Sequence, residues 1–296
     1  MIQIILDTDL GMDCDDAGAL LILLRLMEAQ KCALLAITHC TSNPYGAMAI
    51  DAIDRYYGYD LPVGTLKSPG FLSDGFRYSE VIANEFPHGD KYPGALSVLI
   101  AALERAEAGV TVAAIGPLIN IADLVNDPRG LELLREKRAR LAVMGGFFNR
   151  AHPAAKSMNA EWNFEMHPAA ARDVLRLWPG EIVLAPFEAG ATVLTGNRLR
   201  ENPKSPVFRA YEVFSRVNKT HTCGEILRSS WDPICVYYAV LGENGLFSLS
   251  ERGIVSVEAN SGASFFTGDP GGRHRYIINA APDIEIVAGL EHWMKP

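Results

Sequence analysis

Cysteine is sparse in this 296-residue chain: Cys14, Cys32, Cys40, Cys223 and Cys235 are five in number and include no CxxC pair. That pattern argues against a disulfide framework and fits free thiols in a reducing cytoplasm, the expected compartment. Long apolar runs are also missing. The run at residues 17–24 is interrupted by Arg25 and Glu28, short of the roughly 20 residues a membrane-spanning helix needs, so no membrane partner is expected. Residues 2–6 lack a basic n-region and a cleavage site, which is not the pattern of a signal peptide. An excess of positive charge is absent: the net charge is −8 and the pI about 5.4. Nucleic-acid binding generally needs a clustered basic surface, so that partner is not expected either, and Arg135, Lys137, Arg138 and Arg140 read as a solvated helix end. Low-complexity segments and internal repeats are lacking, and Pro and Gly are spread along the chain. With 49% hydrophobic residues the chain can bury a substantial core, and one domain over residues 1–296 is expected.

What the chain does have is acid, and it is concentrated. Asp7, Asp9, Asp13, Asp15 and Asp16 fall within ten residues, between the apolar runs 2–6 and 17–24. Carboxylates this close raise one another's pKa, and they stay ionised together mainly where a cation or strong donors offset the repulsion. No basic residue precedes Arg25. A cation from outside the chain is the economical explanation, and all-oxygen ligation points to Ca²⁺ or Mg²⁺ rather than Zn²⁺. Cys14, among hard oxygen donors, reads as a small packed residue. Helix capping would account for Asp15 or Asp16, but capping needs one Asp, not five.

Short apolar, β-branched runs at 2–6, 33–38, 110–115, 139–144 and 181–185 alternate with helical patterns at 45–57, 94–108, 119–125 and 168–177. This alternation predicts an α/β fold with a mainly parallel, Rossmann-like central sheet flanked by helices. Residues 253–258 and 275–280 are expected to add antiparallel strands at one edge. Ligands of such open sheets sit beyond the carboxyl ends of the strands. At those ends lie the aspartates, Thr41-Ser42-Asn43, Gly116-Pro117-Leu118-Ile119-Asn120 and Gly145-Gly146. Each alone is an ordinary turn signal; together they describe one rim.

The ordered set Asp7-Thr8-Asp9-x-Gly11-x-Asp13-x-Asp15-Asp16-Ala17, Gly116-Pro117-Leu118-Ile119-Asn120, Met144-Gly145-Gly146, Glu161-Trp162-Asn163 and Trp231-Asp232-Pro233 resembles the nucleoside hydrolase family, over about residues 2–240. The resemblance implies a Ca²⁺-dependent N-ribohydrolase in which the ion holds the attacking water and the 2′- and 3′-hydroxyls of ribose. By position, it implies Asp9 as metal ligand and general base, Asp16 as bidentate ligand, Asp232 as the late ligand and the main-chain carbonyl of Ile119 as a further one. The family usually has Thr at that last position. Asp15 resembles the residue that accepts a ribose hydroxyl, Asp7 a support of the loop, and Asn43, Glu161 and Asn163 further sugar contacts. The residue types suit the chemistry. A metal lowers the pKa of water and a neighbouring carboxylate takes its proton, while carboxylates around the sugar stabilise an oxocarbenium-like transition state. The expected partner is a small nucleoside or other ribosyl substrate, and the expected assembly a homodimer or homotetramer.

The chain departs from the family pattern around the leaving group. Trp231 stands where pyrimidine-accepting and nonspecific members place a His, which resembles the purine-preferring branch, where an indole stacks on the base. Asp13 belongs to a loop two residues longer than usual and has no assigned role. Residues Phe187-Glu188-Ala189-Gly190 replace a usual Asp-containing segment, and between Phe71 and Pro87 there is no His of the kind many family members place near the base, with Phe76 and Tyr78 as the aromatic candidates. His221, Glu225, Arg228 and Tyr78 are candidates for a leaving-group or lid role. Two other readings stand beside the first. One is a sugar- or nucleoside-binding homologue without turnover. The other is a Mg²⁺-dependent phosphohydrolase of the haloacid dehalogenase type, whose downstream Gly-Asp would have to be Gly268-Asp269.

Overall fold

The computed structural model describes residues 1–11, 13–74, 77–218 and 226–295, with the backbone alone at Arg77 and Asn218. Its strands are β1 (Ile2–Thr8), β2 (Cys32–His39), β3 (Val63–Thr65), β4 (Thr111–Ala114), β5 (Arg140–Met144), β6 (Ile182–Ala185), β7 (Leu194–Thr195), β8 (Arg228–Ser229), β9 (Phe247–Leu249), β10 (Gly253–Val257), β11 (Ser264–Gly268) and β12 (His274–Asn279). All but β7 and β8 form one sheet in the order β11-β10-β12-β6-β5-β4-β1-β2-β3, with β9 on β12. From β3 across to β12 every neighbouring pair is parallel. The order 3-2-1-4-5-6 reverses between β1 and β4, which opens a crevice at the carboxyl ends of those two strands.

Residues 275–280 are not the antiparallel edge the sequence suggests. His274 to Tyr276 pair parallel to Ile182 to Leu184, so β12 extends the parallel core; the antiparallel strands β9 and β10 attach to it, and β11 attaches to β10. The reason is tertiary: alternation within one short run cannot reveal the direction of its partner.

Strands covered on both faces read as continuous apolar runs. In β1, Ile4 and Leu6 pack into one core and Ile5 into the other, all fully buried, as the two-residue strand period requires. The first core holds the helices Asp15–Glu28 and Trp231–Leu241, and the second holds Ala95–Arg105, Ile119–Asn126 and Pro168–Leu177. Helices Asp15–Glu28 and Trp231–Leu241 pack against each other, which brings their N-terminal turns together beside the crevice. Among the described residues no helix is long and apolar enough to cross a membrane.

Candidate active site

The aspartate loop is held from several sides. Asp7 accepts hydrogen bonds from Thr38 Oγ1 at 2.5 Å and Asn120 Nδ2 at 2.8 Å, and Asn120 also reaches the His39 carbonyl at 3.1 Å. One buried carboxylate thus ties β1 to β2 and to the helix beginning at Ile119. Burial pushes the Asp7 carboxyl up to about 7 despite these two donors. Thr8 Oγ1 donates to Asp16 and accepts from the Leu10 N–H. Gly11 has φ of 127°, and its N–H donates to the Tyr78 hydroxyl at 2.6 Å. That hydroxyl in turn donates to the Asp13 carbonyl at 2.6 Å.

Asp15 and Asp16 lie in the first turn of their helix, and the N-cap position belongs to Cys14 with no side-chain cap bond. The capping explanation for these two aspartates is therefore not met. With Asp232, in the first turn of Trp231–Leu241, they form a triad in which one carboxylate oxygen from each residue lies within 4.8 Å of the other two. The Asp232 N–H donates to Asp15 Oδ2 at 3.2 Å. All three are buried, and their carboxyls are pushed well above the ordinary range by burial and then by neighbouring carboxylates. Asp9 is the neighbour that most raises Asp16, and its own carboxyl reaches about 8 through burial and the charges of Asp13, Glu161 and Asp7. Asp9, Asp15, Asp16 and Asp232 form no ion pair among the described residues; buried carboxylates of this kind suit a hard divalent ion, and the donor set is all oxygen.

These carboxylates line a cavity of about 530 Å³ together with Glu161, Asn163, Trp231, Phe187, Phe214 and Arg228. Glu161 and Asn163 are 2% and 4% exposed, not surface residues of a loop. Glu161 caps the helix Trp162–Met166 and accepts from the N–H groups of Asn163, Phe164 and Gly146. Asn163 Nδ2 donates to the carbonyls of Ile115 and Met144, bridging the ends of β4 and β5. Trp231 donates Nε1–H to the Phe187 carbonyl at 2.8 Å and stacks on the Phe187 ring at 5.5 Å. A Cβ on Gly190 would meet Trp231 at 2.5 Å, so only glycine lets the indole lie there.

Ile119, Asn43 and Tyr78 are not among the residues that line this cavity, and neither are Gly268 and Asp269. Ile119 opens its helix but does not line the cavity, whereas Ile115 does. Asn43 is buried outside the cavity, because its Oδ1 accepts from the Tyr45 N–H and so shapes the turn before the helix Gly46–Tyr56. Tyr78 is 2% exposed, and its hydroxyl accepts from the Gly11 N–H and donates to the Asp13 carbonyl, away from the cavity lining. Gly268 and Asp269 sit at the β11 edge of the sheet, away from β1, and cannot complete a phosphohydrolase centre. His221, Glu225 and Phe76 lie outside the described residues.

Asp13 and Phe214 have places in the site that the sequence does not reveal. Asp13 takes Nε and Nη2 of Arg228 in a bidentate ion pair, and Oδ1 also accepts from the Cys14 N–H. The Arg228 guanidinium lies 5.1 Å from the Phe214 ring centroid and 4.9 Å from that of Trp231. The only signal in the sequence was that Asp13 belongs to a lengthened loop; Phe214 had none.

A family model described as inosine-uridine preferring nucleoside hydrolase matches residues 4–274. The chain is similar to the non-specific ribonucleoside hydrolase RihC of Escherichia coli O1:K1 / APEC, at 29% identity over 183 residues, 59% of this chain and 58% of that protein. The match to the same-named protein of Escherichia coli O45:K1 (strain S88 / ExPEC) has the same extent, so the chain spans about 58% of the length of these relatives. Among solved structures, the fold is similar to the inosine-uridine preferring nucleoside hydrolase from Bacillus anthracis, with a TM-score of 0.73 at 18% identity over 99% of this chain and 100% of that one. It is likewise similar to the purine-preferring ribonucleoside hydrolase from Gardnerella vaginalis, with a TM-score of 0.73 at 16% identity over 99% and 97%.

Proposed function

Because the chain belongs to the inosine-uridine preferring nucleoside hydrolase family, we propose that it hydrolyses the N-glycosidic bond of ribonucleosides to ribose and free base. The observation that carries this reading is the buried triad Asp15, Asp16 and Asp232, set in one cavity with Asp9 and an aromatic wall. Asp16 and Asp232 would hold a Ca²⁺ ion, with Asp15 beside them and Asp9 nearby. When bound, such an ion supplies Lewis acidity toward water and fixes vicinal hydroxyls.

The residues divide the remaining work. Asp9 takes the proton of the attacking water, a task for which a carboxyl raised toward neutral pH is suited. Asp15 and Asn163 address the ribose hydroxyls, and the buried Glu161 adds negative potential where the sugar ring gains positive charge. Trp231 and Phe187 form the apolar wall for the base. Asp7 does not touch substrate in this scheme; it fixes the loop that carries Asp9. A flat aromatic wall and Trp231 in the usual His position support a purine preference.

The test is ribose release from inosine, guanosine, adenosine, uridine and cytidine, with saturating Ca²⁺ and with chelator. Release should require Ca²⁺ and vanish in Asp9→Ala while the thermal transition persists. Absence of turnover on all five, with ribose bound tightly in calorimetry, would instead support a binding protein.

A further inference from the structure

We propose that Arg228 is the leaving-group residue of this site, stabilising by charge the electron pair that the departing base takes from the broken C1′–N bond; this rests on the hydrolase reading above. Arg228 is the one basic side chain lining the cavity among the described residues. It is three residues from Trp231, whose indole forms the wall, and its guanidinium lies against both the Trp231 and Phe214 rings. Those contacts and the bidentate pair with Asp13 fix the plane of the fork. Asp13 engages Nε and Nη2, and Nη1 donates to no described residue. A guanidinium has five N–H groups, so donors remain on the side away from Asp13.

A guanidinium does not give up its proton at working pH. The step therefore balances without an acid at this position. The water oxygen bonds to C1′, Asp9 receives the water proton, the C1′–N pair moves onto the base nitrogen, and Arg228 hydrogen-bonds the resulting anion. The proton reaches the base later through solvent, giving ribose and neutral base. Asp13 thereby acquires a role: the lengthened loop supplies the counter-charge that positions a cation which would otherwise be mobile among carboxylates. Asp13 is a positioning residue.

The experiment compares a nucleoside, inosine, whose base leaves poorly, with p-nitrophenyl β-ribofuranoside, whose phenolate leaves without assistance. Arg228→Gln should lower kcat/KM on inosine by about 100-fold, the loss seen when one donor to a developing anion is removed, and on the aryl riboside by several-fold at most. Arg228→Lys, which keeps the charge, should recover part of the inosine rate. Asp13→Asn should show the same selectivity at smaller size, and it carries the test if Arg228→Gln fails to fold. Equal losses on both substrates would overturn the proposal while leaving the hydrolase reading intact. A wild-type protein inactive on both would overturn that reading and this proposal with it.

Discussion

The backbone N–H of Asp232 donates to Asp15 Oδ2 at 3.2 Å, joining residues 217 positions apart. This contact closes the carboxylate triad, because it sets the start of helix Trp231–Leu241 against the start of helix Asp15–Glu28. Removing one charge from the triad should act oppositely on two quantities. Asp232→Asn relieves buried like-charge repulsion, so in chelator at pH 8 its Tm should exceed that of the wild type. Its Ca²⁺ affinity should fall at least as far as the roughly 10–100-fold seen for outer partners of metal ligands. Calorimetric titration and thermal melts check both, and a lower Tm in chelator would contradict the account.

Removing the ion should also invert the usual pH dependence of stability. Burial raises the carboxyls of Asp7 and Glu161 to about 7 and of Asp9 to about 8, from ordinary values of 3.8 or 4.5. Over that interval the folded chain holds protons the unfolded chain has released, so stability falls as pH rises. His39 and His274 work the other way: burial lowers both from 6.5 to about 4, a contribution present above pH 6.5 and lost as pH falls toward 4. The carboxyls outnumber the histidines. In chelator, Tm should therefore climb as pH drops from 8 to 5.5, and saturating Ca²⁺ should flatten or reverse that slope by keeping the carboxylates ionised in the fold.

Gly116 leaves the space that Asp9 fills. A Cβ there would lie 2.7 Å from Asp9 Oδ1 and from Cys40 Sγ, and 2.8 Å from the Asp9 nitrogen. Gly116→Ala should cost about 1–3 kcal/mol of stability through overpacking. Because it displaces the proposed base, kcat should fall by about 100-fold, with a smaller change in KM. Steady-state kinetics beside a thermal melt separate the two effects, and an unchanged kcat would count against Asp9 as base.

Tyr78 reaches the aspartate loop across 67 residues and satisfies the Gly11 N–H. Tyr78→Phe leaves that donor and the Asp13 carbonyl without their partner, at about 1–3 kcal/mol. The loss should appear as faster amide exchange at Gly11 and as weaker ion binding, measured by hydrogen exchange and calorimetry. Exchange at Gly11 as slow as in the wild type would sink this view of Tyr78.

The elements that position the site were legible where local pattern decides. The strand end at Asp7 and Asp9 and the helix start at Asp15 and Asp16 follow from apolar runs meeting charge, and the rim at residues 116–120 and 144–146 follows from strand ends. Partnership across the chain was not legible. That β12 runs parallel to β6 depends on a neighbour 92 positions away in register, His274 with Ile182. The pairing of Asp13 with Arg228 spans 215 positions. Tyr78 and Asn43 looked like groups facing substrate because their types suit it, yet backbone groups engage their polar atoms, those of Gly11 and Asp13 far along the chain for Tyr78 and that of Tyr45 two residues on for Asn43.

Asn163 distinguishes a side chain that merely lines the cavity from one that also holds the sheet. Its Nδ2 donates to the carbonyls of Ile115 at 3.2 Å and Met144 at 3.1 Å, so two neighbouring strand ends depend on an amide donor. Asn163→Asp substitutes an acceptor that, when ionised, faces both carbonyls with no proton to offer. When protonated it can still donate to one of them. The variant should therefore be destabilised relative to wild type at pH 8 by more than the 1–3 kcal/mol typical of an unpaired neutral group, and by clearly less at pH 5.5. Ribose affinity should follow the same order, because the strand ends that shape the sugar site relax with the fold. Paired melts of the two proteins at each pH read the difference directly; a deficit independent of pH would mean that the amide holds neither strand end.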